Sequence, residues 1–317
     1  MKKQNNSKNF NIIRQELLKI INKNLKKNIT NIDSLYILKK GRFGNFIISL
    51  NNAIIFCEYL FCKKIIIEDF SYFYFKNKIN YQKFNLSIES KHNFIYNNNS
   101  IIVDNFFFYK LNFTFLGDVN RFLIFRKEIL NNLPKVKVNP NDLYIYIRGG
   151  DIFKILNKSH PNYAQPPLCF YENILKQFVF REIRIVSEDK LNPIISKLLE
   201  KYNYIKYNKY NIKFDISYLS NSYNIVSAKS SFILSIIKLN NNIKFVWEYD
   251  LYKFSERYLH LHYSVYKNSF NYIIYKMNVS ENYKKLMFPF INSENQRNLM
   301  IKEKCNNNFF IISPKIF

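Results

Sequence analysis

The stretch "LYIYIRGGDIFKI" (143–155) decides how this chain is read. Its opening run of aliphatic and aromatic residues has the composition of a buried strand, ending on Arg148. Two glycines then stop the strand. The whole chain has only five glycines, so a side-by-side pair marks a tight turn where the backbone comes close to a ligand. Arg148 and Asp151 flank that turn.

Working outward from it, the downstream pattern alternates cleanly. A helix is expected at "PLCFYENILKQF", a strand at "EIRIVSED", a helix at "NPIISKLLEKY" and a short strand near 205. A short helix near "ISYLSNS" leads to a strand at "NIVSAKS", a helix at "SFILSIIKLN" and a strand at "IKFVWEY". Strands recurring every 20 to 30 residues with helices between them predict a doubly wound, mostly parallel sheet. Upstream, "SLYILKKGRFGNFIISLNNAIIFCEYLFCKKIIIEDF" (34–70) reads as strand, glycine loop, helix from Phe46 to about Phe61, and strand. That is a second βαβ unit, with its first loop at the carboxyl end of the sheet, where open α/β folds bind ligands.

The order of elements in 71–140 is not legible, but "NNLPKVKVNPND" has the Pro and Asn content of a linker. The expected organisation is a Rossmann-like domain over 1–137, a second over 138–250, and an irregular aromatic tail over 251–317 packed back on the domains. An amphipathic patch at "IIRQELLKIINKNL" predicts a short surface helix.

The composition limits the function classes. With 48% hydrophobic and 18% aromatic residues the chain is globular and not disordered. Its net charge of +25 predicts affinity for something negative, whether a nucleotide diphosphate, an anionic membrane surface or nucleic acid. An Asn-, Ile-, Lys-, Tyr- and Phe-rich composition of the kind AT-rich coding produces explains much of that charge. The aromatic stretch 71–115 lacks a basic interleave, so nucleic acid is not the expected partner. Cys57, Cys62, Cys169 and Cys305 form no Cys-x-x-Cys pair and are expected as free thiols. His260 and His262 lack a third ligand at suitable spacing, so no metal is expected. No signal-peptide pattern opens the chain and no apolar run is long enough for a membrane span, which predicts a cytoplasmic protein with peripheral contact to an anionic membrane as an option.

Four of the five glycines fall in "GRFGN" (41–45) and "RGGD" (148–151), each after an expected strand and each with an arginine. A loop entering a helix presents free N–H groups, and an arginine adds a bidentate donor, so the two loops suit a diphosphate. Here the chain resembles a family. "GRFGN" resembles the amino-terminal motif of protein O-fucosyltransferases, and "YIYIRGGD" (144–151) resembles the His-x-Arg-x-Gly-Asp type motif of O-, α-1,2- and α-1,6-fucosyltransferases. "IVSED" (185–189) is similar to their Ser-Asp strand end. "DISYLSNSYNIVSAKSSF" (215–232), an Asp followed fifteen residues later by Ser-Ser-Phe, is similar to their third motif. The order of all four agrees.

The resemblance implies an α/β chain of GT-B architecture, two Rossmann-like domains facing a central cleft, with an inverting, metal-independent glycosyltransferase activity. The donor implied is GDP-fucose, the acceptor a glycan or protein hydroxyl, and no further cofactor is needed. Carried over motif by motif, Arg148 neutralises the β-phosphate as the sugar leaves. Asn45 and Arg42, with Gly41, Phe43 and Gly44 forming their loop, reach the pyrophosphate or sugar from the other domain. Asp215 accepts from guanine N1 and N2, and Ser230, Ser231 and Phe232 line the phosphate and base pocket. Gly149 and Gly150 complete the arginine loop, and Ser187, Glu188 and Asp189 contact the sugar or nucleoside. Asp151 either orients Arg148 or deprotonates the acceptor. Tyr146 stands where the family has histidine, and Gly149 where some members have a second arginine; a tyrosine hydroxyl still donates to an oxyanion. Two other functional readings compete: a nucleic-acid-binding protein and a catalytically inactive nucleotide-sugar-binding relative. His160, in the loop "SHPNYAQPPLCFY" (159–171), is a further candidate for shaping a sugar pocket.

Overall fold

The computed structural model describes residues 14–23, 28–37, 43–68, 79–81, 86–91, 100–103, 130–131, 133–207, 209, 211–228, 230–251, 272–306 and 308–312. The chain divides into two compact units, residues 1–132 with 260–268, and residues 133–259 with 269–317.

The first unit contains helix α1 (14–23), which buries Leu17 and Ile21. Its five-stranded sheet runs β3 (Ile79–Tyr81), β4 (Leu86–Lys91), β2 (Lys64–Glu68), β1 (Ser34–Ile37), β5 (Ser100–Val103). All pairs are parallel except β3 against β4. Helix α2 (Phe43–Leu60) joins β1 to β2. It begins three residues before the expected Phe46, so Phe43, Gly44 and Asn45 form its first turn and not a loop ahead of it. Gly41 and Arg42 lie outside the described residues.

The second unit is a seven-stranded sheet made of β6 (Leu143–Tyr146), β7 (Ile183–Val186), β8 (Ile205–Tyr207), β9 (Asn224–Ser227), β10 (Phe245–Asp250), β11 (Ile273–Asn278) and β12 (Phe309–Ile312). The spatial order is β12-β11-β10-β9-β6-β7-β8, and only β12 runs antiparallel to its neighbour. Numbered within the unit, this is 3-2-1-4-5-6 with one added edge strand, the order of doubly wound α/β folds. Progression reverses between β6 and β9. Ligands in such sheets bind outside the carboxyl ends of the strands at that reversal.

The connecting helices are α3 (Asp151–Lys154), α4 (Leu168–Gln177), α5 (Pro193–Lys201), α6 (Ile212–Asn221) and α7 (Ser231–Leu239), followed by α8 (Glu281–Met287) and α9 (Glu294–Lys302). Helix α9 packs on α4 and α5, and α6 packs on α7. The alternation in "LYIYI" separates these two groups. Leu143, Ile145 and Ile147 join the aliphatic core with residues of α4, α5 and α9. Tyr144 and Tyr146 point the other way: Tyr144 stacks on Tyr218 of α6 at 5.8 Å, and Tyr146 meets Phe232 of α7 at 5.2 Å. Much of the aromatic content is likewise core, with Phe178, Tyr275 and Phe309 gathered around Trp247 and one another.

Two expectations need correction. The described part of the tail, 272–312, is not irregular: β11 pairs with β10, β12 pairs with β11, and two helices lie between them. The aromatic residues there fill the sheet's second edge. The cysteines are not all free thiols either, since Cys169 and Cys305 form a disulfide, while Cys57 and Cys62 are free and buried. Cys169 lies in the first turn of α4 and Cys305 just past α9, so the packing of α9 on α4 brings their Cα atoms to 5.6 Å. A separation of 136 residues hides that proximity from a spacing argument.

Candidate functional site

The reversal between β6 and β9 gathers the three carboxyl-terminal motifs. After β6 the chain passes through Arg148, Gly149 and Gly150 into α3; after β9, which ends at Ser227, it passes through Ala228 to Ser230, the amino cap of α7. The Tyr146 hydroxyl donates to Ser230 Oγ at 3.2 Å and so ties the two loops together. Ser230 Oγ also accepts from the Phe232 N–H at 3.1 Å. With both lone pairs engaged, the Ser230 hydroxyl proton is left for an acceptor such as a phosphate oxygen.

Arg148 has a side chain only 11% exposed, and one Nη donates to Asp151 Oδ1 at 2.6 Å. Its Nε is buried without an acceptor. Burial works against the guanidinium charge, but Tyr146, Asp151 and Glu188 outweigh it and push the pKa up. Burial also raises the Tyr146 hydroxyl pKa, against the pull of Arg148 and Ser230, which keeps the phenol proton that it donates to Ser230. The cluster therefore presents a fixed cation and a serine O–H within one carboxyl-end crevice, the Tyr146 proton being engaged by Ser230. Such donors suit an anion with several oxygens.

The glycine pair has a packing cause. A Cβ on Gly149 would lie 2.5 Å from Asp189 Oδ1 and 3.1 Å from Ser187 Oγ. Gly150 has φ of 69°, and a Cβ there would lie 2.1 Å from Glu188 Oε2. The loop after β7 thus presses directly on the loop after β6. Asp189 fastens the contact by accepting from the Gly150 N–H at 3.1 Å and the Leu191 N–H at 3.0 Å. Asn192 adds a second fastening: its Oδ1 caps α5 at Ile194 N and its Nδ2 donates to the Arg148 carbonyl at 3.0 Å. Asp189 is occupied by the backbone, whereas Ser187 Oγ is buried beside Gly149 without a partner. Glu188 is exposed and acts electrostatically on Arg148.

Asp215 lies in the first turn of α6, 9% exposed. Burial alone pushes its carboxyl up to about 7. It also acts electrostatically on Tyr207 at the end of β8, which places it toward that side of the sheet. Ser231 opens α7, and its carbonyl accepts from Ser235 Oγ. Of the expected residues, Tyr146, Arg148, Gly149, Gly150, Asp151, Ser187, Glu188, Asp189, Ser230 and Phe232 converge on the crevice, with Asp151 engaged by Arg148. His160 is tied elsewhere: its N–H donates to the Phe290 carbonyl at 2.8 Å and its ring meets Tyr163. His260 and His262 lie outside the described residues.

Sequence reasoning missed Asn192, whose cap geometry was legible in "NPIISKLLEKY", and Glu248. The second had a signal too, a carboxylate inside the buried strand "FVWEYD" of β10. Among the described residues no group of three or more His, Cys, Asp or Glu could hold a metal ion, and no helix is long and apolar enough to cross a membrane. No protein-family model, curated protein or solved structure matches the chain.

Proposed function

We propose that the chain is an inverting, metal-independent glycosyltransferase of GT-B architecture, transferring fucose from GDP-fucose to a hydroxyl of a glycan or protein. The observation that carries this most directly is the Tyr146–Ser230 hydrogen bond, which joins two motif loops across the strand reversal beside Arg148. In this reading the diphosphate takes donors from Arg148 and Ser230, while Tyr146 holds the Ser230 hydroxyl in place by donating to it. As the bond from the sugar C1 to the diphosphate oxygen breaks, charge grows on the β-phosphate, and the preformed Arg148 cation stabilises it. Asp151 orients that guanidinium. The acceptor hydroxyl oxygen attacks C1 from the opposite face as GDP leaves with the bonding electrons, which inverts the anomeric centre, and the hydroxyl proton passes to water or to the departing diphosphate.

Cytoplasmic action is the proposed setting, with the +25 charge available to an anionic leaflet. A reducing cytoplasm would open the Cys169–Cys305 bond, so the thiol state of protein taken directly from cells bears on the compartment.

The test is a thermal-shift panel of GDP, UDP, CDP, ADP, GDP-fucose, GDP-mannose and a short oligonucleotide, with and without EDTA, at two salt concentrations. Ligand at a hundred times its Kd stabilises by about 2.7 kcal/mol. A GDP-selective, EDTA-insensitive shift is expected. A shift from the oligonucleotide alone, erased by salt, would replace the proposal with nucleic-acid binding.

A further inference from the structure

A polar row crosses four strands at the carboxyl end of the second sheet. Ile145 lies opposite Val226 in register, which sets Tyr146 beside Ser227. Ser227 is the register partner of Glu248, and Glu248 that of Lys276. Parallel register partners project from the same face, so Tyr146, Ser227, Glu248 and Lys276 form one line across β6, β9, β10 and β11. All four strands are otherwise largely apolar, and a buried carboxylate there carries a desolvation cost that packing does not require.

Glu248 is 9% exposed and faces a small cavity shared with Ser227, Ser230, Leu234, Pro166 and Leu251. The space admits one water-sized group, the size of a hydroxyl. Ser230 belongs to both this cavity and the Tyr146 hydrogen bond, so the cavity adjoins the crevice holding Arg148. Lys276 Nζ stands 3.9 Å from Glu248 Oε2, an ion pair along the row.

We propose that this cavity is a hydroxyl-binding subsite for the nucleotide-sugar, with Glu248 as the acceptor that fixes the hydroxyl and Lys276 as the cation beside it in the row. The inference rests on the donor reading above and extends it by two strands. The layout across the sheet gives the order of the ligand: Asp215 near β8 for the base, Arg148 and Ser230 at the reversal for the diphosphate, and Glu248 beyond it for a hydroxyl of the transferred ring. A ribose hydroxyl offers the same chemistry, and the experiment separates the two sources.

Calorimetric titration of the full chain with GDP and with GDP-fucose, in wild type and Glu248→Gln, is the test. Glutamine keeps the shape and removes the charge. A hydrogen bond to a charged group predicts roughly tenfold or greater loss of GDP-fucose affinity, with GDP affinity within about twofold of wild type. Equal losses for both ligands would put the ribose hydroxyl at Glu248 instead. Unchanged affinity for both, with GDP still bound, overturns the subsite and leaves the donor reading standing. If wild type binds neither, the donor reading itself falls. Ser227→Ala, a truncation in the same cavity, gives the same comparison should Glu248→Gln fail to fold.

Discussion

Replacing Asp215 with asparagine should stabilise the protein at high pH while weakening its function. The carboxyl is 9% exposed, and burial raises its pKa from 3.8 to about 7. Below 3.8 it is protonated in both the folded and unfolded states and contributes no penalty. Between 3.8 and about 7 the folded protein holds a proton that the unfolded chain has released, so stability falls as pH rises, by about 1.4 kcal/mol per unit. Above that window the loss is complete, at about 4 kcal/mol. Asparagine does not titrate and escapes it. Urea unfolding should therefore find the variant ahead by about 2 kcal/mol at pH 5 and about 4 at pH 8. Guanine binding should reverse the preference, because the ionised carboxylate is the form that accepts from N1 and N2. GDP affinity of wild type should climb with pH until about 7 and then level off, and that climb should vanish in the variant. A gap between the proteins that is the same at both pH values, or a variant less stable at pH 8, would refute the account of Asp215 as a buried carboxylate without compensation.

Further outcomes follow from the same loops. Arg148→Ala should abolish sugar transfer while the near-ultraviolet circular dichroism stays native; transfer at the wild-type rate would remove Arg148 from the mechanism. Gly149→Ala should destabilise by roughly 1–3 kcal/mol because Asp189, the atom its Cβ meets, is pinned by two backbone N–H groups. Gly150→Ala should keep a backbone penalty of about 1 kcal/mol or more even when Glu188 is also changed to Ala, since φ of 69° strains any L residue; full recovery of the melting temperature in that double variant would contradict it. Thiol titration of the denatured, unreduced protein should count two reactive cysteines of four, and Cys169→Ser with Cys305→Ser should lower stability by up to about 5 kcal/mol through the 136-residue closure; four reactive thiols would exclude the disulfide.

The second sheet was legible because its strands and helices differ in period. "LYIYI" is apolar on both sides, and "NPIISKLLEKY" carries both an Asn cap and a helical stripe. What the glycines were for was not legible. Their neighbour is the Ser187–Asp189 loop nearly forty residues away, and only the register of β6 on β7 sets the two loops face to face. Glu248 was hidden for the same reason: its row depends on three strand registers that no local pattern encodes. The tail misled because "IIYKMN" and the edge strand "FFII" are short and their aromatic neighbours obscure the alternation. In the first unit, Gly41 and Arg42 lie outside the described residues, and the start of α2 at Phe43 shows a helix running through "FGN" where glycine had suggested a break.

The disulfide also sorts the candidate site into two covalent compartments. Residues 169–305 form a closed ring carrying β7 to β11, and with them Ser187, Asp215, Ser230 and Glu248. Tyr146, Arg148 and both glycines sit on the amino-terminal arm outside it. Yet β6, the strand of that arm, is flanked in the sheet by β7 and β9, both members of the ring. An oxidised chain that has lost its fold keeps the ring's strands tethered to one another while the arm swings free, so assembling the site means returning one outside strand to a slot between two inside ones.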